Sequence, residues 1–208
     1  MAAPLLLVLG AGPGVGLATA DRFAREGYAV VLAARSPGKL DTEHETIRLD
    51  LTDEAQVREI VDAVGARFGQ IDVIHFNPSV FRQKDPLELT VDELLDDLRL
   101  GVAPLLPAVQ AARPHLREGA RIVVTGSAAA DRPWNKAASL GVQKAAVRNL
   151  VTSIDTTLAP DGIRAVAVQV NGVLAEEGPF SPAAVAEALY AASVRPDQGW
   201  TPHVDYDG

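Results

Sequence analysis

The chain has 208 residues, 48% of them hydrophobic, with 17 Gly, 14 Pro, three Tyr and no Cys. That length buries a core without staples and leaves little room for a second domain, so residues 1–208 read as one domain. The missing Cys excludes a disulfide framework, thiolate zinc, an iron–sulfur cluster and a Cys nucleophile. Twenty-seven acidic against 19 basic side chains give −8, which argues against nucleic acid or an anionic membrane as partner. No apolar run approaches the roughly 20 residues that span a bilayer, and Met1 to Leu9 has no basic region, so a cytoplasmic protein is expected.

Leu5 to Leu9 is an unbroken apolar run, as suits a strand buried on both faces of a parallel sheet. Gly10-Ala11-Gly12-Pro13-Gly14-Val15-Gly16 follows and opens an apolar helix, Leu17 to Arg25. Ala29 to Ala33 predicts the second strand and Thr46 to Leu49 the third. Between them Ser36 to Glu45 contains Pro37 and Gly38, so a full crossover helix hardly fits. Asp53 and Gln56 can open a capping box before the helix carrying Val57, Ile60, Val61, Val64 and Phe68. Ile71 to Phe76 predicts the fourth strand, and Thr90 with Glu93 repeats the box signature ahead of Leu94, Leu95 and Leu98. That helical stretch is taken through Leu116. Arg121 to Val124 and Ala165 to Val168 are the next strands, with a helix from Asn135 to Leu158 between them. Ser181-Pro182 starts a helix through about Ser193. Gly199 to Val204 reads as an edge strand, where Pro202 does no harm. Strands alternating with helices predict an α/β fold: a doubly wound parallel sheet of about seven strands flanked by helices.

The glycine-rich turn carries chemistry. Glycine lets the backbone turn tightly and approach a pyrophosphate, while the helix N-terminus offers free N–H groups and a positive dipole end. Between a buried strand and a helix the turn meets the context of a dinucleotide fingerprint, although a ligand-free strand–helix turn can share its composition.

The spacing of Gly10, Gly14 and Gly16 resembles the glycine motif of the short-chain dehydrogenase/reductase family. Asp50-Leu51 resembles that family's adenine-contacting Asp, and Asn77-Pro78-Ser79 lies where the family has its Asn-Asn-Ala-Gly segment. Gly119 to Ser127 matches the strand ending in the catalytic Ser, and Lys144-Ala145-Ala146-Val147 the helix bearing the active-site Lys. Asp161-Gly162-Ile163-Arg164 and Asn171-Gly172 match the sixth strand and the turn after it, so the resemblance covers essentially the whole chain. It implies a Rossmann-type NAD(P)-binding domain acting on a small carbonyl or alcohol that the sequence does not name. It also implies a homodimer or homotetramer through the Thr90–Leu116 and Asn135–Leu158 helices. The cofactor-binding residues carried over are Gly10, Gly12, Gly14, Val15 and Gly16 in the turn, then Arg35, Ser36, Asp50 and Leu51. Asn77, Pro78, Lys144, Gly172 and Val173 complete the set.

After the second strand the chain runs Ala33-Ala34-Arg35-Ser36, with no acid to bond a free ribose 2′-hydroxyl. A guanidinium pairs bidentately with phosphate, so NADP(H) is preferred over NAD(H). A merely solvated Arg35 is the plain alternative.

In the family a Tyr moves the proton, a Ser orients the substrate oxygen, and a Lys four residues after the Tyr holds the nicotinamide ribose and lowers the Tyr pKa. Ser127 and Lys144 stand at two of these positions, but Leu140 occupies the Tyr position and Gly101 that of a further Asn. Tyr28, Tyr190 and Tyr206 all lie outside the Ser127 to Lys144 stretch. Leucine cannot donate a proton, and a positioned acid is worth about 10²–10⁴-fold. Ser139 points about 100° away around the helix, while Asn77, Asn135, Gln143 and Trp134 donate hydrogen bonds but not readily protons. Lys144 could act as the acid if burial lowers its pKa. Two readings follow: an oxidoreductase with weak or Tyr-independent catalysis, or an inactive NADP(H)-binding sensor or interaction subunit. No metal is expected, because His44, His75, His115 and His203 lie in four elements without ligand spacing. The short Val173–Phe180 connection predicts an open substrate pocket, or one completed by a partner subunit.

Overall fold

All five residues of β1 (Leu5–Leu9) are buried, because the strand lies in mid-sheet with helices on both faces. The structure is a computed structural model and describes residues 3–208. After β1 come α1 (Val15–Ala24), β2 (Ala29–Ala34), β3 (Glu45–Arg48), α2 (Glu54–Phe68) and β4 (Val73–Phe76). Then follow α3 (Val91–Gly101), α4 (Leu105–Ala112), β5 (Arg121–Thr125), α5 (Ala138–Leu158), β6 (Arg164–Val170), α6 (Pro182–Ser193) and β7 (His203–Tyr206). The strands form one sheet in the order β3-β2-β1-β4-β5-β6-β7, every pair parallel. This is the Rossmann-type α/β fold expected from the alternating strands and helices.

Period-two alternation sends β1 side chains to two cores. Leu6 and Val8 meet Phe23 of α1 and Val185 and Leu189 of α6. Leu5, Leu7 and Leu9 meet Val57 and Val61 of α2, Ala108 of α4 and Val151 of α5. Each fully buried Leu or Val contributes about 1.5–3 kcal/mol. The crossover from β2 to β3 is a single 3-10 turn, Pro37–Lys39, as its short Pro-Gly sequence requires. With no helix there, β3 is mostly exposed at the sheet edge.

Several boundaries differ from the sequence-based expectation. The predicted helix from Thr90 to Leu116 is two helices, because Val102 leaves helical space (φ −134°, ψ −58°) and Pro104 follows. α5 begins at Ala138, after a 3-10 turn over Asn135–Ala137. β3 ends one residue early, and Leu49 beyond it is buried. β7 starts at His203, so Pro202 stands just ahead of it, where its carbonyl accepts from Ala167 N at 2.9 Å. Asp53 caps α2 through Gln56 N, but the Gln56 amide turns to Asp50 N (2.5 Å) instead of closing the box. Thr90 and Glu93 do close theirs. Among the described residues no helix is long and apolar enough to cross a membrane.

Two features position the site. Strand order reverses between β1 and β4, opening a crevice at their C-terminal ends. The irregular segment after β4 is also tied down: Arg82 grips buried Asp97 of α3 with two bonds (3.0 and 2.8 Å), and Lys84 bonds Glu93 at 2.6 Å. The Arg82 guanidinium holds the Asp97 carboxyl below its ordinary range, so this anchor is intact at neutral pH.

Candidate active site

The turn after β1 has the geometry its glycines suggest. Gly10 takes φ +80°, and a Cβ there would fall 3.1 Å from Pro78 Cδ. Gly10 N and Ala11 N both donate to Ala33 O (3.1 and 3.0 Å), folding the turn onto β2. A Cβ on Gly16 would lie 3.1 Å from Ala11 Cα. Gly12 and Gly14 face open space, and α1 starts behind Gly14 without a side-chain cap. Leu17 N is taken by Gly12 O (3.0 Å), and among the described residues the Val15 and Gly16 amides are left for a ligand.

Beside this turn a cavity of about 320 Å³ is lined by Gly10, Ala11, Arg35, Asp50, Leu51, Asn77 and Pro78, together with Ala34, Leu49, Ser79 and Leu100. Gln56 fixes Asp50 through its backbone, while Thr52 bonds the carboxylate through N (2.9 Å) and Oγ1 (2.7 Å). The Thr52 bonds, with Arg35 adding a smaller attraction, hold the Asp50 carboxyl below its ordinary range. Ser36 precedes the 3-10 turn without a side-chain capping bond and lines neither this cavity nor the next.

The second cavity, about 680 Å³, shares Asn77 and Ser79 with the first. Thr125, Gly126, Ser127, Leu140 and Lys144 form one side of it, and Val15, Val170, Gly172, Val173 and Leu174 another. Phe81 and Trp134 stand at its rim, rings near parallel (21°) with centroids 6.3 Å apart. The sequence marks Trp134 only as a hydrogen-bond donor and Phe81 not at all, since the folding of two loops brings them together. Lys144 is buried; its Nζ donates to Thr125 O at 2.9 Å, and burial pulls its pKa from 10.5 to about 8. Ser127 N donates to Gln169 Oε1 (3.0 Å), and Ser127 Oγ accepts from Ala129 N (3.2 Å), leaving its O–H free. Gly126 permits this, because a Cβ there would meet Gln169 Oε1 at 2.6 Å. Leu140 lies one turn before Lys144 on the same face of α5.

Below the two cavities a chain of hydrogen bonds joins three strands. The Thr125 hydroxyl donates to Asn77 Oδ1 (2.9 Å), and Asn77 Nδ2 donates to Gly10 O (3.2 Å). The single Thr125 hydroxyl proton is thus committed, so His75 Nε2 must donate to Thr125 Oγ1 across their 2.8 Å contact. His75 Nδ1 is then a bare acceptor, buried without a partner. Burial first, and Lys144 second, push the His75 pKa from 6.5 to about 3. The other histidines are scattered: His44 meets Asp21, His115 meets Asp62, and His203 meets Thr152.

Of the alternative donors, Asn77 and Trp134 line the cavity, whereas Ser139, Asn135 and Gln143 do not. Ser139 is fully buried and does not line it, and Asn135 borders a separate shallow groove. Gln143 is buried and clamps Val80, accepting from its N (3.1 Å) and donating to its O (3.1 Å). The clamp accounts for Gly101, since a Cβ there would fall 2.3 Å from Gln143 Oε1. Tyr28 and Tyr190 pack edge-on against Phe23 at 5.1 Å, and the Tyr206 hydroxyl donates to Pro179 O.

Two outcomes follow from these contacts. Gly101→Asn should lower stability by about 1–3 kcal/mol through overpacking, and adding Gln143→Ser should restore part of the loss in urea unfolding. A fully stable single variant would show that Gln143 does not hold that volume. His75 gives a pH signature: its folded pKa lies below its unfolded value, so the unfolded chain takes up a proton first as pH falls below about 6.5. Its stabilisation is present above that pH and is lost progressively down to about 3. Between pH 7 and pH 5 the wild type should lose about 2 kcal/mol more than His75→Gln. Equal losses would mean that His75 takes up its proton in the folded state.

The sequence profile of the short chain dehydrogenases matches residues 4–178. The (-)-isopiperitenol/(-)-carveol dehydrogenase of Mentha piperita is 32% identical over 205 residues, covering 92% of this chain and 73% of that protein. A tropinone reductase-like protein of Erythroxylum coca is 27% identical, and this chain spans only 64% of its length. A short chain dehydrogenase from Burkholderia cenocepacia, solved in complex with NADP, superposes with a TM-score of 0.85 at 28% identity. It covers 100% of this chain and 97% of its own. The chain belongs to the short-chain dehydrogenase/reductase family, an oxidoreductase family that binds NAD(P).

Proposed function

We propose that the chain is an NADP(H)-binding oxidoreductase acting on a small carbonyl or alcohol by a weak, Tyr-independent route. The observation that carries this reading is the continuity of the two cavities: the glycine turn opens one, and Ser127 and Lys144 border the other. The residues fit the cofactor. Gly10 and Gly16 allow backbone approach where a Cβ would clash, and Gly12, Gly14 and Val15 leave the α1 N-terminus open for the pyrophosphate. Asp50 and Leu51 border the adenosine end, with Pro78 packed on Gly10. Arg35 and Ser36, at the acid-free end of β2, favour a 2′-phosphate and hence NADP(H) over NAD(H). Lys144, Gly172 and Val173 border the nicotinamide end, with Asn77 shared by both. NADP bound to the Burkholderia cenocepacia relative is in keeping with this choice.

When bound, the cofactor supplies or accepts hydride. The chain's own part is to handle the substrate oxygen. The free Ser127 O–H orients that oxygen, and Lys144 Nζ gives it a proton, becoming a neutral amine. A buried amine near pKa 8 is protonated at neutral pH yet acidic enough to serve. Leu140 only shapes the wall. A second reading, cofactor binding without turnover as a sensor or subunit, is favoured by Leu140 and Gly101.

We further assign residues 1–208 to one domain and the protein to the cytoplasm. Exposed Val91, Leu95, Leu106 and Val142 on α3, α4 and α5 support assembly as a homodimer or homotetramer through these helices.

Fluorescence titration should show NADPH binding more tightly than NADH, with Arg35→Ala reducing the preference by roughly tenfold or more. Binding of neither nucleotide would refute both readings. Leu140→Tyr, assayed against a panel of carbonyls, should raise kcat by roughly 10²–10⁴-fold. Brisk turnover by the wild type and no gain in the variant would overturn the account of the missing acid.

A further inference from the structure

We infer that Asn171 is a site of self-modification, at which Gly172 N closes on the Asn171 side-chain amide. The carboxylate left behind unlatches the C-terminal strand from the connection that borders the larger cavity. The reaction needs neither the cofactor nor Lys144.

Of the four asparagines, Asn77, Asn135, Asn149 and Asn171, only Asn171 precedes a glycine. A side chain on the following residue shields its backbone nitrogen and restricts its dihedrals, and glycine does neither. β6 ends at Val170, so Asn171 and Gly172 lie in the turn beyond it, the first half-buried and the second exposed. Among the described residues no acceptor takes the Gly172 N–H. The nucleophile is therefore free, beside the amide it attacks. Its nitrogen bonds to Asn171 Cγ, the Cγ–Nδ2 bond breaks, and the Gly172 amide proton leaves with Nδ2 as ammonia. Water then opens the cyclic imide at either carbonyl, giving aspartate or isoaspartate. Each product carries one new negative charge.

The fold holds both residues in place for other reasons. A Cβ at residue 172 would fall 2.3 Å from the Phe180 ring, so glycine is required while Phe180 keeps its position. Asn171 Nδ2 donates to Asp205 Oδ1 at 3.3 Å and to Asp207 Oδ1 at 2.9 Å. One amide thus bridges two carboxylates of the tail. An acid at residue 171 has no N–H to offer them and adds a third negative charge, which repels both. β7 stands at the sheet edge, paired only with β6, so it is among the easier strands to release.

The effect reaches the cavity through Tyr206. Its ring packs edge-on against Phe180 with centroids 5.8 Å apart, and its hydroxyl donates to Pro179 O. Its carbonyl accepts from Asn171 N at 2.9 Å. Phe180 O accepts from Ala175 N (3.2 Å), closing the connection whose Val173 and Leu174 border the larger cavity. Loss of the Asp205–Asn171–Asp207 bridge slackens this whole assembly.

Native protein and a urea-unfolded sample, incubated together in warm, mildly alkaline buffer, test the chemistry by tryptic mass spectrometry. Asn171 is the only asparagine in residues 165–208, the stretch that follows the Arg164 cleavage. In the native sample this peptide should gain one mass unit, with fragment ions placing the change at residue 171, before the peptides of Asn77, Asn135 and Asn149 change. An Asn171 amide that stays intact in the native protein overturns the inference, whether or not the unfolded chain converts. The unlatching has its own readout in hydrogen exchange. Asn171→Asp supplies the product charge, and Asn171→Ala removes the same two hydrogen bonds without adding charge. The β7 amides of Asn171→Asp should exchange at least about tenfold faster than those of Asn171→Ala at low salt. The difference should shrink near 1 M salt, where the screening length is about 3 Å. Equal exchange in the two variants, or a difference that salt leaves unchanged, overturns the unlatching.

Discussion

The hydrogen-bond chain from His75 through Thr125 and Asn77 to Gly10 holds the C-terminal ends of β4, β5 and β1 at fixed spacing. Parallel strands end here with their last carbonyls and side chains beyond the ladder, so something other than sheet bonding must set the floor of the crevice. Thr125 is the branching point. Its hydroxyl joins His75 to Asn77, and its carbonyl holds Lys144. Movement of this one residue would disturb both the glycine turn and the lysine. Nε2–H donates to Thr125 whether His75 is neutral or charged, but among the described residues Nδ1 has no partner to stabilise an imidazolium, so the neutral form is favoured. Burial enforces that state and costs the fold stability in acid.

The loop after β4 shows the complementary device. It has no regular structure over Asn77–Thr90, yet it forms the wall of the larger cavity. Backbone clamping by Gln143 and the Arg82–Asp97 ion pair give it the rigidity that a strand or helix would otherwise supply. Removing one member of a buried pair leaves the other charge uncompensated, so the pairing specifies position more than it adds net stability.

Much of this was legible in the sequence where local chemistry decides. The run Leu5–Leu9, the glycine turn, the Thr90–Glu93 box and the Ser181-Pro182 start are each set by neighbours a few residues away, and each takes the expected form. The Pro37-Gly38 segment likewise forbade a crossover helix and forms only a 3-10 turn. Long-range packing was not legible. The apolar periodicity ran past Gly101, but Val102 and Pro104 break the helix where α3 and α4 take different paths. The Phe81–Trp134 rim joins residues 53 positions apart, and no local pattern announces it. Nothing in the apolar run Arg121–Val124 marks Thr125 beside it. Its role depends on His75 and Asn77, which the sheet alone brings beside it.

Leu140 also reads differently once its surroundings are known. The family resemblance alone sets it where a Tyr is expected. In the fold it lies near Gln143 and Gly101, on adjoining surfaces of α3 and α5. Gln143, one turn from Leu140, fills the space beside Gly101 and fastens Val80, so a side chain at residue 101 requires Gln143 to shift. Leu140 meanwhile extends the hydrocarbon wall that begins at Phe81 and Trp134. Burial lowers the Lys144 pKa, and Leu140 faces the same cavity one turn away on α5. On the proposed reading, the site therefore offers a buried lysine where it has no phenol to give a proton.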